Sequence, residues 1–315
     1  MPPLPTADSI PLQREHPNAA GNSLHSVSHD SDPGVEEPVT GGAPHMFLDR
    51  DHSILAFNER VFDWAVRTDV PLLERLRYLC IVSSNLDEWF EVRSAPHVAV
   101  AQTGEERDSY TRTRFAALMD KAQALVAQQY QIYNQALIPA FHTHGIRLIS
   151  HGERNAAQRR WVHEYFLREV QPLLVPVGLD PAHPFPKVAN KTLNFIVRLQ
   201  GNDAFGRHND VAILRVPRAL PRLVAMPAKV TEGKRLFVSL TSIVRAHLKD
   251  LFPGRKVQEF SQFRVTRHSE LAVDEDDVKN LRTALQGELR HRQYGDAVRL
   301  EIADNCPEHM EEFML

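Results

Sequence analysis

The sequence predicts a multidomain α and α+β protein, a helical bundle followed by an α+β domain with a mixed sheet. Two observations carry this. From Tyr110 to Ile138 the apolar residues repeat every seven positions, Leu118, Leu125 and Ile132 beside Met119, Val126 and Tyr133, as in a long helix packed lengthwise on others. After Pro172, Pro176, Pro181, Pro184 and Pro186 the helical period gives way to short apolar runs bounded by turn residues, the signature of strands.

Residues 1–44 are rich in Pro, Ser, Gly, Asp and His and show no apolar period. Such a segment cannot bury enough surface to offset the entropy of ordering and reads as a disordered tail. Residues 45–152 then read as the helical domain and 153–315 as the α+β domain. Ser53 is a candidate cap for a first helix with Ile54, Phe57, Val61 and Ala65 inward and Leu55 and Phe62 widening the stripe. Pro71 suits the first turn of a second helix carrying Leu72, Leu76, Leu79 and Cys80 on one face, with Pro96 near its end. Pro139 and Gly145 are expected to end the heptad helix, Ile146 to Ile149 to start a strand, and Asn155 to Val170 to form a helix burying Trp161, Val162, Phe166 and Val170.

Strands are expected at Thr192 to Leu199, Val211 to Val216, Arg235 to Leu240, Val257 to Thr266 and Ala297 to Ile302. A helix from Thr241 to Phe252 is stopped by Pro253-Gly254. Another runs from Asp274 to Gln293, with acids at its start and Arg290, His291 and Arg292 at its end, which suits the helix dipole. The helices are expected on one side of the sheet.

A hydrophobic content of 43% over 315 residues is enough for two cores. Cys80 and Cys306 have no partner pattern, so neither a disulfide framework nor a zinc site is indicated, and a cytoplasmic location fits. The opening residues lack a secretory signal's apolar core, and no apolar run is long enough for a transmembrane helix. The net charge of −3 is uneven: −5 over 1–44, −2 over 45–180, +9 over 181–300 and −5 over 301–315. A basic region on a nearly neutral chain suits a polyanion, or a solvated surface whose acidic partners lie elsewhere.

Four stretches occur in sequence: LAFNERV at 55–61, PLLERLRYL with SSNLDEWFEVR across 71–93, DPAHPFPKVANKTLNF at 180–195, and FRVTRHSELAVDEDD with RQYGDAVRLE across 263–301. In content and order they resemble the long bacterial polyphosphate kinases. The resemblance implies an N-terminal helical domain that touches the adenine of ATP, and a head domain near the polymer's tunnel that takes part in dimer contacts. It implies an enzyme that moves the terminal phosphate of ATP reversibly onto polyphosphate through a phosphohistidine, with Mg2+ and arginines clamping the phosphates. On that resemblance Asn85 is the ATP contact, Trp89 stands where phenylalanine is usual, and the full enzyme is a homo-oligomer handling ATP, ADP and polyphosphate. No position here matches the family's histidine-bearing half, so no catalytic residue and no Mg2+ ligand is assigned. The chain alone is expected to be inactive.

The residues themselves leave alternatives open. Asn85 with Glu88 three positions on resembles a capping box that restarts a helix. An amide can equally read a purine edge with a donor and an acceptor. Asp87 and Glu88 are adjacent on a helix and read as solvated surface. His183 reads as a turn histidine, and His142, His144 and His151 are not spaced for a metal. Arg215, Arg218, Arg222, Lys234, Arg235, Arg264, Arg267, Arg290, Arg292 and Arg299 could guide phosphates or dock on acids outside this chain. No P-loop, dinucleotide fingerprint, zincin motif or nucleophile elbow is present. A non-catalytic polyanion- or partner-binding module is the alternative function. Nucleic acid is not expected, because no basic strand carries interleaved aromatics.

Overall fold

The computed structural model describes residues 12–15, 48–107, 110–179, 185–202, 210–268 and 295–315. Helices come first: α1 (Arg50–Val66), α2 (Leu72–Val92), α3 (Ala95–Thr103), α4 (Arg112–Ile132) and α5 (Ile138–Thr143). Their shared core contains Leu55, Phe62, Leu79, Val82, Leu86, Trp89, Phe90, Leu118, Ala122 and Leu125. The heptad residues Leu118, Met119, Leu125 and Val126 are buried as the repeat predicts.

The α1 stripe is rotated from the sequence reading. Asp49, not Ser53, caps the helix by accepting from the His52 backbone N–H, and the buried line is Leu55, Asn58, Phe62 and Ala65. Phe57 is 52% exposed. The pattern misled because Ile54, Phe57 and Val61 also recur at helical spacing, while the polar Asn58 conceals the true stripe. Likewise Cys80 on α2 is exposed, and Val82 and Leu86 take the inward places. Pro139 does not stop the heptad helix. A π-helical turn at Tyr133–Leu137 links α4 to α5, and the proline sits in the first turn of α5, where its missing N–H is tolerated. Gly145, at φ +73°, makes the left-handed turn that ends α5. Helix α3, which the sequence reading did not anticipate, begins at Ala95 with Pro96 in its first turn.

A buried ionic knot ties these helices together. Asp51, 2% exposed, accepts from Arg93 Nε at 2.9 Å and from His97 Nε2 at 3.1 Å, and Arg114 of α4 pairs with Asp49 beside it. Burial pushes the Asp51 carboxyl up, but hydrogen bonds from His97 and Arg93 outweigh that and hold it below its ordinary value.

Strand β1 (Leu12–Glu15), within the segment read as a tail, pairs antiparallel with β9 (Ala297–Ala303). Strands β3 (Val175–Gly178), β4 (Asn194–Gln200), β5 (Val211–Arg215) and β8 (Lys256–Arg267) complete a six-stranded antiparallel sheet in the order β1-β9-β8-β4-β5-β3. A smaller sheet is mixed: β2 (Ile146–Leu148) runs parallel to β7 (Arg235–Ser239), which pairs antiparallel with β6 (Leu223–Ala225). Strand β2 therefore joins the second domain's sheet although it falls within 45–152.

Helix α6 (Ala156–Tyr165) opens on a capping box of Asn155 and Gln158 and continues through a π-helical turn at Phe166–Val170. Short α7 (Ala228–Thr231) precedes β7, and α8 (Leu240–Ala246) follows it. A 3-10 turn at Leu248–Leu251 then completes the helix read from Thr241 to Phe252. Val162, Phe166, Ile243 and Val244 pack on the Phe195, Val197 and Leu214 face of the large sheet. The opposite face is covered too, because Ile196, Ile213, Phe263 and Ile302 pack with Met310 of α9 (Glu308–Met314). Helices thus lie on both faces rather than one. The unbroken apolar run Phe195-Ile196-Val197, all buried, marks a strand covered on both sides. The helix expected from Asp274 to Gln293 lies outside the described residues.

Truncating Leu118, which is fully buried, is expected to cost about 2–5 kcal/mol in urea unfolding. Phe57→Ala should stay within about 0.5 kcal/mol of the parent. The Asp51 contribution to stability should be complete above about pH 4 and lost as pH falls through its depressed folded-state value. Asp51→Asn should therefore lower Tm at pH 7 and flatten the decline of Tm on the acid side.

Candidate functional site

Asn85 lies inside α2, four turns from its start and two from its end, so its backbone amide needs no cap. The capping-box reading fails because Ser83-Ser84-Asn85 does not interrupt the helix. Asn85 instead faces α1. Its Nδ2 donates to Asn58 Oδ1 at 3.0 Å, and Asn58 Nδ2 donates to the Val82 carbonyl at 3.0 Å. Asn58 is 1% exposed, whereas Asn85 is half-buried. On the same stretch of α2, Gln129 of α4 donates to the Leu79 carbonyl at 2.9 Å and to the Ser83 hydroxyl. The result is a polar seam along α1, α2 and α4, with the Asn85 carboxamide turned by a buried partner.

The opposite face of α2 does something different. Asp87 receives a two-pronged contact from Arg264 of β8, with both N–O distances 2.8 Å, while Arg264 Nε donates to Glu301 of β9 at 2.5 Å. Arg299 stands 3.7 Å from Asp87 and 3.3 Å from Glu301, with its guanidinium over the Phe90 ring at 4.4 Å. Burial disfavours the charge on Arg264, but Glu301 and Asp87 outweigh it and raise its pKa above the ordinary value. One turn along α2, Glu91 accepts from Asn190 Nδ2 at 2.9 Å and pairs with Lys191. Lys191 holds a left-handed backbone, φ +54°, with its N–H on the Val265 carbonyl at 2.8 Å. All four stretches that carried the resemblance therefore contribute to this seam or this dock.

A family profile described as the polyphosphate kinase N-terminal domain matches residues 47–149, and one described as the polyphosphate kinase middle domain matches residues 157–315. The chain belongs to the polyphosphate kinase family. It is 47% identical over 275 residues to a polyphosphate kinase of Neisseria meningitidis serogroup B, covering 86% of this chain and 40% of that relative. It is 49% identical over 268 residues to one from Xylella fastidiosa, covering 84% of this chain and 38% of the relative. The crystal structure of polyphosphate kinase from Porphyromonas gingivalis superposes with a TM-score of 0.63 at 27% identity, over 80% of this chain and 39% of that one. The chain thus spans about two fifths of the length of these relatives.

Within this family member, the basic residues singled out by sequence divide into groups. Arg264 and Arg299 dock on Asp87 and Glu301, so their acidic partners lie in this chain and not outside it. Asp87 is correspondingly no solvated surface residue, although Glu88 is exposed. Arg267 donates to the Val188 and Gly295 carbonyls, and Arg218 to that of Asn190. Arg215, Arg222, Lys234 and Arg235 are exposed. Arg290, Arg292 and His183 lie outside the described residues. His142, His144 and His151 form no three-ligand group among the described residues. Sequence reasoning missed Asn58, whose only signal was a polar residue within an apolar helical stripe.

Removing Arg264 leaves Asp87 and Glu301 partly buried without their main partner. Arg264→Ala is expected to cost about 2–4 kcal/mol, somewhat below a fully buried pair because the side chain retains some solvent contact. A double-mutant cycle with Asp87→Ala should return a coupling of at least about 1 kcal/mol.

Proposed function

We propose that these residues form the nucleotide-contacting helical part and the head of an ATP–polyphosphate phosphotransferase, with Asn85 as a contact to the adenine base. Family membership supports the reaction class, and the Asn58–Asn85 hydrogen bond carries the residue-level reading. Asn58 takes one Nδ2 hydrogen of Asn85 and thereby orients the carboxamide. The second N–H and Oδ1 leave a donor and an acceptor for a base edge, and a carboxamide whose free N–H is cis to Oδ1 reads adenine bidentately. A buried partner that pre-sets the amide reduces the ordering cost of binding.

The exposed Arg215, Arg222, Lys234 and Arg235 offer the remaining charge for polyphosphate, which a guanidinium grips through paired oxygens. Mg2+ would neutralise phosphate charge in such a reaction. Asp87, two positions along α2, is turned away from Asn85 and engaged by Arg264, so it does not fit Mg2+ as a direct ligand beside the amide. Nucleophilic chemistry and the phosphohistidine would come from segments matching the remaining length of the relatives. No helix among the described residues is long and apolar enough to cross a membrane.

The test is Asn85→Ala in an enzyme of the relatives' full length. Losing a hydrogen-bonded base contact of about 1–1.5 kcal/mol should raise KM for ATP about tenfold with kcat little changed. An unchanged KM with intact folding would remove Asn85 from the nucleotide site.

A further inference from the structure

On the second domain, α6 passes the end of α8 and brings one side chain against two others more than eighty positions away in sequence. His163 belongs to α6, His247 follows α8, and Asp250 lies in the 3-10 turn after it. One nitrogen of each histidine and one carboxylate oxygen lie within 4.8 Å of one another, the one such group among the described residues. His247 is buried, whereas His163 and Asp250 face solvent.

His247 is held as a ligand would be. Its Nδ1 lies 2.9 Å from the Ile243 carbonyl, which can only accept, so Nδ1 carries the hydrogen and Nε2 presents a lone pair. A backbone carbonyl on one ring nitrogen is the common way in which a histidine is oriented to bind metal through the other. The ring stacks on Phe166 at 4.3 Å and 10° and on His163 at 5.2 Å and 25°. The Asp250 backbone N–H donates to the His247 carbonyl at 3.0 Å, which fixes the spacing of those two residues. The titratable and charged groups beside His247 are Asp250, His163 and Arg154.

We propose that His163, His247 and Asp250 bind one divalent transition-metal ion, with Zn2+ as the reference case. Two imidazoles and one carboxylate suit Zn2+ and its neighbours and do not suit Mg2+ or Ca2+, which take oxygen. Bonds of about 2.0–2.2 Å place neighbouring ligand atoms roughly 3.3 Å apart. From separations of up to 4.8 Å, closing the group around an ion requires the exposed His163 and Asp250 side chains to approach by up to about 1.5 Å, with the fourth position left to water. The ion would clip α6 to the α8 turn, away from the Asn85 seam and independently of any metal carried by ATP.

After chelator treatment, the protein is titrated with ZnCl2 by calorimetry, and its Tm is followed with and without Zn2+. Wild type should take up one Zn2+ at this site and gain Tm. His163→Ala and Asp250→Asn change exposed residues and should fold normally, yet each should weaken binding at least about 10–100-fold and abolish the Tm gain. Absence of saturable Zn2+ binding, or binding of unchanged affinity in both variants, overturns the proposal.

Discussion

The Asp87–Arg264 contact, with Glu301 and Arg299 around it, is the constraint on which the arrangement of the two domains depends. Two guanidiniums and two carboxylates, largely withdrawn from water, are tolerable only when each charge meets its opposite at close range. That requirement leaves little freedom in how α2 lies against β8 and β9. Glu91, one turn after Asp87, repeats the condition through Asn190 and Lys191, so the bundle is fixed at two points along one helical face. A helix held twice at i and i+4 can neither slide nor roll.

This constraint also sets the outlook of Asn85. At about 100° per residue, Asn85 and Asp87 point in nearly opposite directions, with Val82, Leu86, Trp89 and Phe90 filling the arc between them. The same helix therefore docks one domain with one face, supplies the bundle core with the next, and presents an oriented amide at the far edge. Asn58 completes the arrangement from α1. A buried carboxamide is costly unless bonded, and here it donates to the Val82 carbonyl and accepts from Asn85, which leaves it satisfied only in this register of α1 against α2.

Much of the fold was legible in the chain. The apolar runs at Asn194–Gln200, Val211–Arg215 and Ala297–Ala303 became strands close to their expected limits, and the heptad residues of α4 became core. Such features depend on neighbours in sequence. The errors share a cause as well: Phe57, Cys80 and Pro139 were judged by local pattern, while partners from other helices decided which side of α1 and α2 is covered and allowed a π turn before the proline. The local pattern at Asn85 pointed to a cap, a reading that the continuity of α2 removed, and its assignment to a nucleotide rests on resemblance alone.

What the sequence determined by itself was the succession of a helical and an α+β region, the alternation of elements within each, and membership of a family through ordered motifs. Periodicity and turn chemistry act over a few residues, and a motif is recognised without knowing where it points. Only the tertiary structure decided that Arg264 and Arg299 hold the domains together, that Asn58 orients Asn85, and that His163 meets His247 and Asp250. These are contacts between residues tens to more than two hundred positions apart, and a charge or an amide carries no local mark of the partner that will neutralise or bond it.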